Sequence, residues 1–205
     1  MERLLRSIAG FHAGHGRLLQ PKLESLAKNG QQPPVMVITC ADSRILLDPL
    51  VNSEPGVVFA VRNVGNLVPN DDDPSVSAAV EYAVRHLKVP DIVVMGHAEC
   101  GAMKALLGEP MDGPIGRWLA YGQESVEQMG GTSCDDRLAE HDCLSQRNVL
   151  VQAARVRSMD AVREAEVAVH AWWWDMANAR ILAHDGERFT VLEEAYAPSV
   201  ADLIR

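Results

Sequence analysis

Three side chains with high affinity for zinc occur in two short segments of this chain. Cys40 opens the segment Cys-Ala-Asp-Ser-Arg, and His97 and Cys100 belong to Gly-His-Ala-Glu-Cys-Gly at 96–101. Two thiolates and one imidazole are one ligand fewer than the four of a closed structural zinc site, and the open position can hold a water molecule and activate it. The pattern therefore predicts a catalytic site with one Zn²⁺ per chain as cofactor.

Each segment directly follows a predicted buried strand. Residues 35–39 and 91–95 are short apolar runs, rich in β-branched residues and preceded by a proline. In open parallel sheets, ligands bind outside the carboxyl ends of the strands. If the two strands are neighbours, Cys40 and the 97–100 segment meet at one edge of the sheet, and Gly96 and Gly101 permit close backbone approach there.

The rest of the pattern predicts an α/β fold. Further strands are predicted at 57–61, 165–174 and 189–192, and helices at 74–87, 101–107, 115–129 and 135–157. Strands alternating with helices indicate a central, mostly parallel sheet flanked by helices. Hairpin turn residues at 183–186 make the last strand antiparallel, so we expect about four parallel strands plus an antiparallel edge strand. Residues 1–30 are predicted to form a helical arm that Pro21 breaks or offsets.

Composition limits the domain count and the class of partner. With 205 residues, 47% of them hydrophobic, residues 1–205 are expected to form a single domain. A net charge of −9 and the lack of a basic run argue against nucleic-acid partners and anionic membranes. No apolar run approaches the roughly 20 residues that span a bilayer.

The N-terminal residues lack the unbroken apolar segment of a signal peptide, which predicts a cytoplasmic location. In a reducing cytosol, the four cysteines are expected to be metal ligands or free thiols rather than disulfides. Cys134 and Cys143 lie near acidic residues and His141, but their spacing matches no compact metal motif, and their role stays open.

Taken together, the motifs resemble those of the β class of carbonic anhydrases, and of its plant-type subgroup in particular. The matching segments are Cys-x-Asp-Ser-Arg at 40–44, Val-Arg-Asn-Val-Gly-Asn-Leu-Val at 61–68 and Gly-His-x-x-Cys-Gly at 96–101. The resemblance extends over nearly the whole chain and is weakest at 1–30 and 109–140. It implies a zinc enzyme that interconverts CO₂ and bicarbonate by attack of a zinc-bound hydroxide. It also implies an obligate homodimer, with the helical arm packed on the partner subunit and a tetramer or larger assembly left open.

The resemblance also assigns roles to individual residues. Cys40, His97 and Cys100 are the implied zinc ligands, and Asp42 and Arg44 the implied catalytic carboxylate–guanidinium pair. The implied substrate pocket consists of Gln31, Phe59, Val64, Tyr82 and the backbone N–H of Gly101.

The Asp42 carboxylate can accept a hydrogen bond from the hydroxide, while Arg44 holds that carboxylate in place and keeps it ionised. If Arg44 releases Asp42, the carboxylate could instead become a fourth zinc ligand. Without the zinc motif, the same pair would be an ordinary ion pair that caps a turn. Phe59, Val64 and Tyr82 would then be core residues.

Two other functions remain open at this point. One is hydrolysis of CS₂ or COS on the same zinc scaffold, which the residues near the metal do not exclude. The other is a non-catalytic, zinc-binding regulatory module, which would carry four ligands or would lack Asp42 and Arg44.

Overall fold

A six-stranded sheet forms the centre of the molecule. In the computed structural model, which describes residues 1–51, 54–69, 73–131 and 134–192, the strands are β1 (Val35–Cys40), β2 (Val58–Asn63), β3 (Asp91–His97), β4 (Ala168–Asp175), β5 (Arg180–His184) and β6 (Phe189–Val191). Their order across the sheet is β2-β1-β3-β4-β5-β6. The first four strands in this order run parallel, and β5 and β6 are antiparallel to their neighbours. The predicted α/β fold with a mostly parallel sheet is confirmed.

The antiparallel edge contains one strand more than the sequence predicted. Strand β5 lies where hairpin turn residues were expected, and the turn follows it at Asp185. The Asp185 carboxylate accepts the backbone N–H groups of Glu187 and Arg188, each at 2.9 Å, and so closes the turn before β6. The edge therefore consists of two antiparallel strands rather than one.

Nine α-helices surround the sheet in the described part of the chain. They are α1 (Glu2–Ala13), α2 (His15–Asn29), α3 (Leu47–Leu50), α4 (Ser75–Glu81), α5 (Gly101–Leu106), α6 (Gly113–Leu119), α7 (Gln123–Glu127), α8 (Glu140–Ser158) and α9 (Asp160–Glu164). A π-helical turn at Tyr82–Leu87 continues α4. Helix α4 begins at Ser75, one residue after the predicted Pro74, and Asp73 accepts the N–H of Ser75 at 2.9 Å from the residue before the N-cap.

Three helical predictions were wrong in detail, one of them the start of α8, which is Glu140 rather than residue 135. The N-terminal arm breaks at Gly14, whose φ of −127° and ψ of −95° lie outside the helical region, whereas Pro21 lies inside α2. The single helix predicted at 115–129 is divided into α6 and α7 by a 3₁₀ turn that ends at Gly122. A Cβ on Gly122 would lie 2.6 Å from Leu106 Cδ1, so the chain approaches α5 too closely there for a larger residue.

Helices cover both faces of the sheet. Along β3, Ile92 and Val94 pack into one hydrophobic cluster and Val93 and Met95 into a second, as the alternation of side chains along a strand requires. Helix α8 approaches β3 at Gly96, where a Cβ would lie 2.5 Å from Val149 Cγ2. This contact brings the first two turns of α8 to the carboxyl end of β3.

The helical arm packs very little against the rest of its own chain. Within α1 and α2, which the structure describes in full, no residue is buried. Helix α2 reaches the 54–56 segment, where Lys22 pairs with Glu54 at 3.7 Å and Leu26 covers Gly56. Helix α1 carries an exposed apolar stripe, formed by Leu4, Leu5, Ile8 and Phe11.

Among the described residues, none of the helices combines the length and the apolar character needed to cross a membrane.

Candidate metal centre

The sheet topology brings the three nominated metal ligands together. Strands β1 and β3 are parallel neighbours, paired as far as Thr39 and Met95, so their carboxyl ends lie side by side. Cys40 is the last residue of β1, His97 is the last residue of β3, and Cys100 directly precedes α5. Their ligand atoms all lie within 4.8 Å of one another, and all three residues are buried. The structure thus contains a cluster able to bind a metal ion.

The His97 ring has one nitrogen free for a metal ion. Its Nδ1 lies 2.8 Å from the Ala98 carbonyl oxygen, which assigns the proton to Nδ1 and leaves Nε2 as an acceptor. The buried Nε2 has no hydrogen-bond partner among the described residues. Two sulfurs and one nitrogen bound to a tetrahedral zinc ion lie about 3.5–3.8 Å apart, which is compatible with this cluster. The residues present therefore fit a zinc ion.

The two thiols of the cluster are electrostatically coupled. A hydrogen bond from Cys100 lowers the pKa of Cys40, and the same interaction raises the pKa of Cys100. Burial alone would raise both. One of the two sulfurs therefore ionises at the expense of the other, and a divalent cation would allow both to be thiolates.

A backbone donor also stabilises the Cys40 sulfur. The Gly65 N–H donates to Cys40 Sγ at 3.3 Å. Gly65 has a φ of +78°, and a Cβ there would lie 2.8 Å from the Cβ of Ala102, so the position requires glycine. The Asn148 side chain holds this turn by donating to the Gly65 carbonyl at 3.0 Å. The sequence motif contained Gly65, but no role at the centre was predicted for it.

Asp42 and Arg44 form a bidentate pair beside the cluster. Arg44 Nε donates to Asp42 Oδ1 at 2.9 Å and Nη2 donates to Oδ2 at 2.7 Å, while the Arg44 backbone N–H also donates to Oδ1. These hydrogen bonds hold the pKa of Asp42 well below its usual range. Asp42 is not in the group of potential ligands within 4.8 Å, so the carboxylate is paired with Arg44 rather than with the metal position.

Arg62 holds the same loop from the other side. Its Nε donates to the Cys40 carbonyl at 3.1 Å and its Nη2 donates to the Asp42 carbonyl at 2.8 Å. The sequence placed Arg62 in the 61–68 motif but assigned it no contact with the centre. The contact follows from the pairing of β1 with β2, in which Arg62 lies opposite Thr39.

Two of the five predicted pocket residues lie near the cluster. Val64 follows Asn63, which pairs with Cys40, and the residue is 43% exposed. Gly101 follows Cys100, and a Cβ on Gly101 would meet no described atom within 4 Å. There is thus open space beside the cluster.

The other three predicted pocket residues lie away from the cluster within one chain. Phe59 pairs with Met36, four residues before Cys40, which corresponds to about 13 Å along the strand. Tyr82 accompanies Phe59, with ring centroids 6.0 Å apart. Gln31 is exposed in the loop before β1. One chain therefore does not assemble the complete predicted pocket.

The prediction that all four cysteines are free or metal-bound was wrong for two of them. Cys134 and Cys143 form a disulfide with their Cα atoms 5.7 Å apart, whereas Cys40 and Cys100 are free thiols. A helix from residue 135 would have separated these cysteines by about 13 Å. Helix α8 begins instead at Glu140, and the preceding segment folds back to bring Cys134 to its first turn.

A third contact at the centre was also not predicted. The Asp142 side chain, in the first turn of α8, accepts the backbone N–H of Glu99 at 2.7 Å. The sequence offered no signal for this contact, because the two residues belong to different elements and only the packing of α8 brings them together.

Fold and site together define an α/β protein with a Cys-His-Cys cluster able to bind a metal ion at the carboxyl ends of two parallel strands. The family model for carbonic anhydrase matches residues 35–181. The chain therefore belongs to the carbonic anhydrase family, and the solved structures that it resembles place it in the β class.

Curated relatives and solved structures agree on this assignment. A carbonic anhydrase of Pseudomonas aeruginosa is 36% identical over 176 residues, which cover 80% of each protein. The structure of the β-carbonic anhydrase CcaA matches with a TM-score of 0.82 at 27% identity, covering 93% of this chain and 91% of that one. The Coccomyxa β-carbonic anhydrase, solved with acetazolamide, matches with a TM-score of 0.73 at 30% identity over 98% of this chain and 93% of its own.

Proposed function

We propose that this chain catalyses the reversible hydration of CO₂ to bicarbonate and a proton, with Zn²⁺ held by Cys40, His97 and Cys100. The observation that carries the zinc assignment is the buried, unpartnered Nε2 of His97 beside two thiols. Three ligands leave one position open, as catalytic zinc sites require. The presence of Asp42 and Arg44 beside a three-residue cluster argues against a non-catalytic module.

When bound, zinc supplies the Lewis acidity that lets a water molecule act as the nucleophile near neutral pH. Asp42 accepts a hydrogen bond from that nucleophile and orients it toward CO₂. Arg44 keeps the carboxylate ionised, so that Asp42 acts only as an acceptor. Gly101 is the first residue of α5, where backbone N–H groups lack intrahelical partners, and its N–H donates to the developing bicarbonate.

The active unit proposed here is a homodimer in which the helical arm packs on the partner subunit. No residue of α1 is buried by the described part of the chain, so the apolar stripe of α1 stays exposed there. Association of two copies would also give Phe59 and Tyr82 a role, because these residues lie away from the metal cluster of their own chain and could line the pocket of the partner subunit. Tetrameric β-carbonic anhydrases of Sordaria macrospora resemble this chain with a TM-score of 0.79 at 26% identity over 93% of this chain and all of theirs, and larger assemblies are compatible with the same arm.

The cytoplasmic location expected from the sequence stays a prediction. The Cys134–Cys143 disulfide bears on it, because disulfides are rare in reducing compartments unless they resist reduction or serve a redox function.

Metal content and activity of the same preparation test the catalytic proposal. Purified protein should contain about one zinc per chain and should hydrate CO₂ in stopped-flow measurements, whereas Cys100→Ala should lose both. A metal-free protein with full activity, or a zinc-loaded wild type without activity, would contradict the proposal. A CS₂ hydrolysis assay on the same sample distinguishes the alternative hydrolase, which would turn over CS₂ rather than CO₂.

A single charge placed on the α1 stripe tests the dimer. Ile8→Glu should convert a dimer into monomers in analytical ultracentrifugation, because a carboxylate cannot be buried unpaired in an apolar interface. Gly10→Glu is the matched control on another face of the helix, where a Cβ meets no described atom within 4 Å. Equal oligomeric states for both variants would exclude the α1 stripe as the interface.

A further inference from the structure

The turn that carries Cys100 contains a backbone conformation that needs support. Glu99 has a φ of +58°, in the left-handed region that residues with a Cβ rarely adopt. Glu99 directly precedes the ligand Cys100 and lies two residues after His97. Any relaxation of Glu99 would therefore move at least one of the proposed ligands.

Both backbone groups of Glu99 are held by charged side chains. Its N–H donates to Asp142 Oδ1 at 2.7 Å, and its carbonyl accepts a hydrogen bond from Arg44 Nη2 at 3.0 Å. Asp142 is buried, with 8% of the residue exposed, whereas the Glu99 side chain lies at the surface against Lys104 and His141. The turn is thus fixed between α8 and the arginine that holds Asp42.

Helix α8 supports the centre at a second point one turn further on. Ser145 Oγ donates to the carbonyl of His97 at 2.8 Å and accepts a hydrogen bond from Trp173 Nε1 at 3.1 Å. Asp142 and Ser145 therefore hold the backbone between His97 and Cys100 at two points, the N–H of Glu99 and the carbonyl of His97. The first turns of α8 thus hold the backbone of the segment that carries two of the three proposed ligands, His97 and Cys100.

The first turn of α8 is itself fixed by a covalent bond. Cys143, next to Asp142, is joined to Cys134 in the segment that precedes the helix. Without this bond, the residues before Glu140 would have fewer restraints, and helix ends are the parts of a helix that fray most readily. The disulfide thus stabilises the turn from which Asp142 reaches Glu99.

We propose that Asp142 is a positioning residue for the metal centre, and that the Cys134–Cys143 disulfide holds the helical turn that carries it. This inference rests on the proposed zinc site. Loss of the Asp142 acceptor would free the N–H of Glu99, relax its left-handed backbone and displace Cys100. The Glu99 carbonyl would move as well, and with it one of the contacts that fix Arg44 beside Asp42.

The disulfide makes this support dependent on redox conditions. Both cysteines line a cavity of about 890 Å³, together with Arg147 on the next turn of α8. A dithiol reductant can attack the bond as its thiolate and form a mixed disulfide. Its second thiol then releases the protein thiols, so that the reductant becomes a cyclic disulfide and the protein gains two electrons and two protons. A cation near Cys143 favours its departure as a thiolate.

Metal affinity and the spectrum of the Co²⁺-substituted protein test the role of Asp142. Asp142→Ala should bind Zn²⁺ about 10–100-fold more weakly in chelator competition, the range found for outer-shell partners of metal ligands, and should show altered Co²⁺ absorption bands. Asp142→Asn should recover most of the affinity, because its amide oxygen can still accept the Glu99 N–H. Glu140→Ala is the matched control, since it removes a carboxylate from the same helical turn.

Three results would overturn the role of Asp142. The first is an Asp142→Ala variant with the Zn²⁺ affinity and Co²⁺ spectrum of the wild type. The second is an Asp142→Asn variant whose Zn²⁺ affinity falls as far as that of Asp142→Ala, and the third is a Glu140→Ala variant with the same loss of affinity. A wild-type protein that binds neither Zn²⁺ nor Co²⁺ would instead refute the proposed zinc site itself. Should Asp142→Ala fail to fold, amide hydrogen exchange of Glu99 in oxidised and reduced wild type replaces it. Reduction should accelerate this exchange, and equal rates would contradict the inference.

The disulfide is tested by reduction with dithiothreitol followed by its removal under anaerobic conditions. Reduced wild type should bind Zn²⁺ several-fold more weakly than oxidised wild type. The double variant Cys134→Ala/Cys143→Ala should match the reduced protein and should not respond to dithiothreitol, which separates reduction from chelation. Equal affinities for the oxidised and reduced wild type would refute the role of the disulfide.

Discussion

The chain contains two Asp-x-Arg segments with nearly the same local geometry and very different surroundings. In both Asp42–Arg44 and Asp135–Arg137, the aspartate accepts the arginine backbone N–H and pairs with its guanidinium. The Asp42 side chain is 16% exposed, whereas that of Asp135 is 44% exposed. The Asp-x-Arg turn thus forms from hydrogen bonds within its own three residues, and the contacts around it determine whether it can take part in catalysis.

Further contacts distinguish the pair at the metal centre from the surface pair. Arg44 also donates to the Glu99 carbonyl, and Arg62 holds the carbonyls on either side of Ala41. The Asp135 pair lies instead beside the disulfide, at the surface. A bidentate ion pair therefore becomes a positioned hydrogen-bond acceptor only where the backbone around it is also held.

The largest effect that separates the two pairs should come from removing the carboxylates. Asp42→Ala should lower kcat/KM for CO₂ hydration by about 10²-fold or more, because a positioned group at a reacting centre typically contributes that much. Asp135→Ala, the matched change in the surface pair, should leave kcat/KM unchanged. Stopped-flow assays of both variants, with zinc content verified, make the comparison, and similar losses in the two would show that the motif acts only through folding.

The disulfide beside the surface pair should affect stability strongly. Cys134→Ala/Cys143→Ala should lower the free energy of unfolding by about 2–3 kcal/mol, since the loop that it closes in the unfolded chain is short. For a chain of this length, that loss corresponds to a decrease in Tm of about 5–10 °C. Urea titration and calorimetry of metal-free samples measure it without a contribution from zinc, and unchanged stability would show that the loop is held by other contacts.

Removal of the arginines should have an intermediate effect on activity. Arg44→Ala should lower kcat/KM about tenfold, because Asp42 then keeps its charge but loses its fixed orientation. Arg44→Lys should restore little, since an ammonium cannot form both hydrogen bonds of the guanidinium. Arg137→Ala is the corresponding control and should retain full activity. Recovery of activity in Arg44→Lys would indicate that charge, rather than geometry, is what Arg44 supplies.

The parts of the structure that could be predicted from the sequence are those with a local signal. Strands β1 and β3 are short apolar runs after prolines, and the rule that ligands gather at the carboxyl ends of parallel strands was sufficient to bring Cys40 near His97. Arg44 lies two residues after Asp42 in the turn that follows β1, so the contact between their side chains could be predicted from this spacing. Each of these inferences needed only a strand, its direction and a spacing.

The parts that escaped prediction depend on packing between distant elements. Glu99 contacts Asp142 because α8 packs against β3 at Gly96, and no sequence pattern in either segment predicts this contact. The disulfide was missed because a reducing cytosol was expected, in which cysteines are free thiols or metal ligands. The start of α8 was also placed at residue 135 rather than 140, and a helix from 135 would have kept Cys134 and Cys143 about 13 Å apart.

The smallest effect concerns the pH dependence of the surface pair. Hydrogen bonds from Arg137 lower the pKa of Asp135 to about 2, below the value of about 3.9 expected in the unfolded chain. A depressed pKa in the folded state contributes stability above pH 4, and that contribution is lost as the pH falls from about 4 to 2. In Arg137→Ala, the pKa of Asp135 should rise toward 3.9 in an NMR titration of the carboxyl carbons. Because the pair is exposed, acid unfolding should shift only slightly, and a large shift would mean that this turn is coupled to the fold as tightly as the pair at the metal centre.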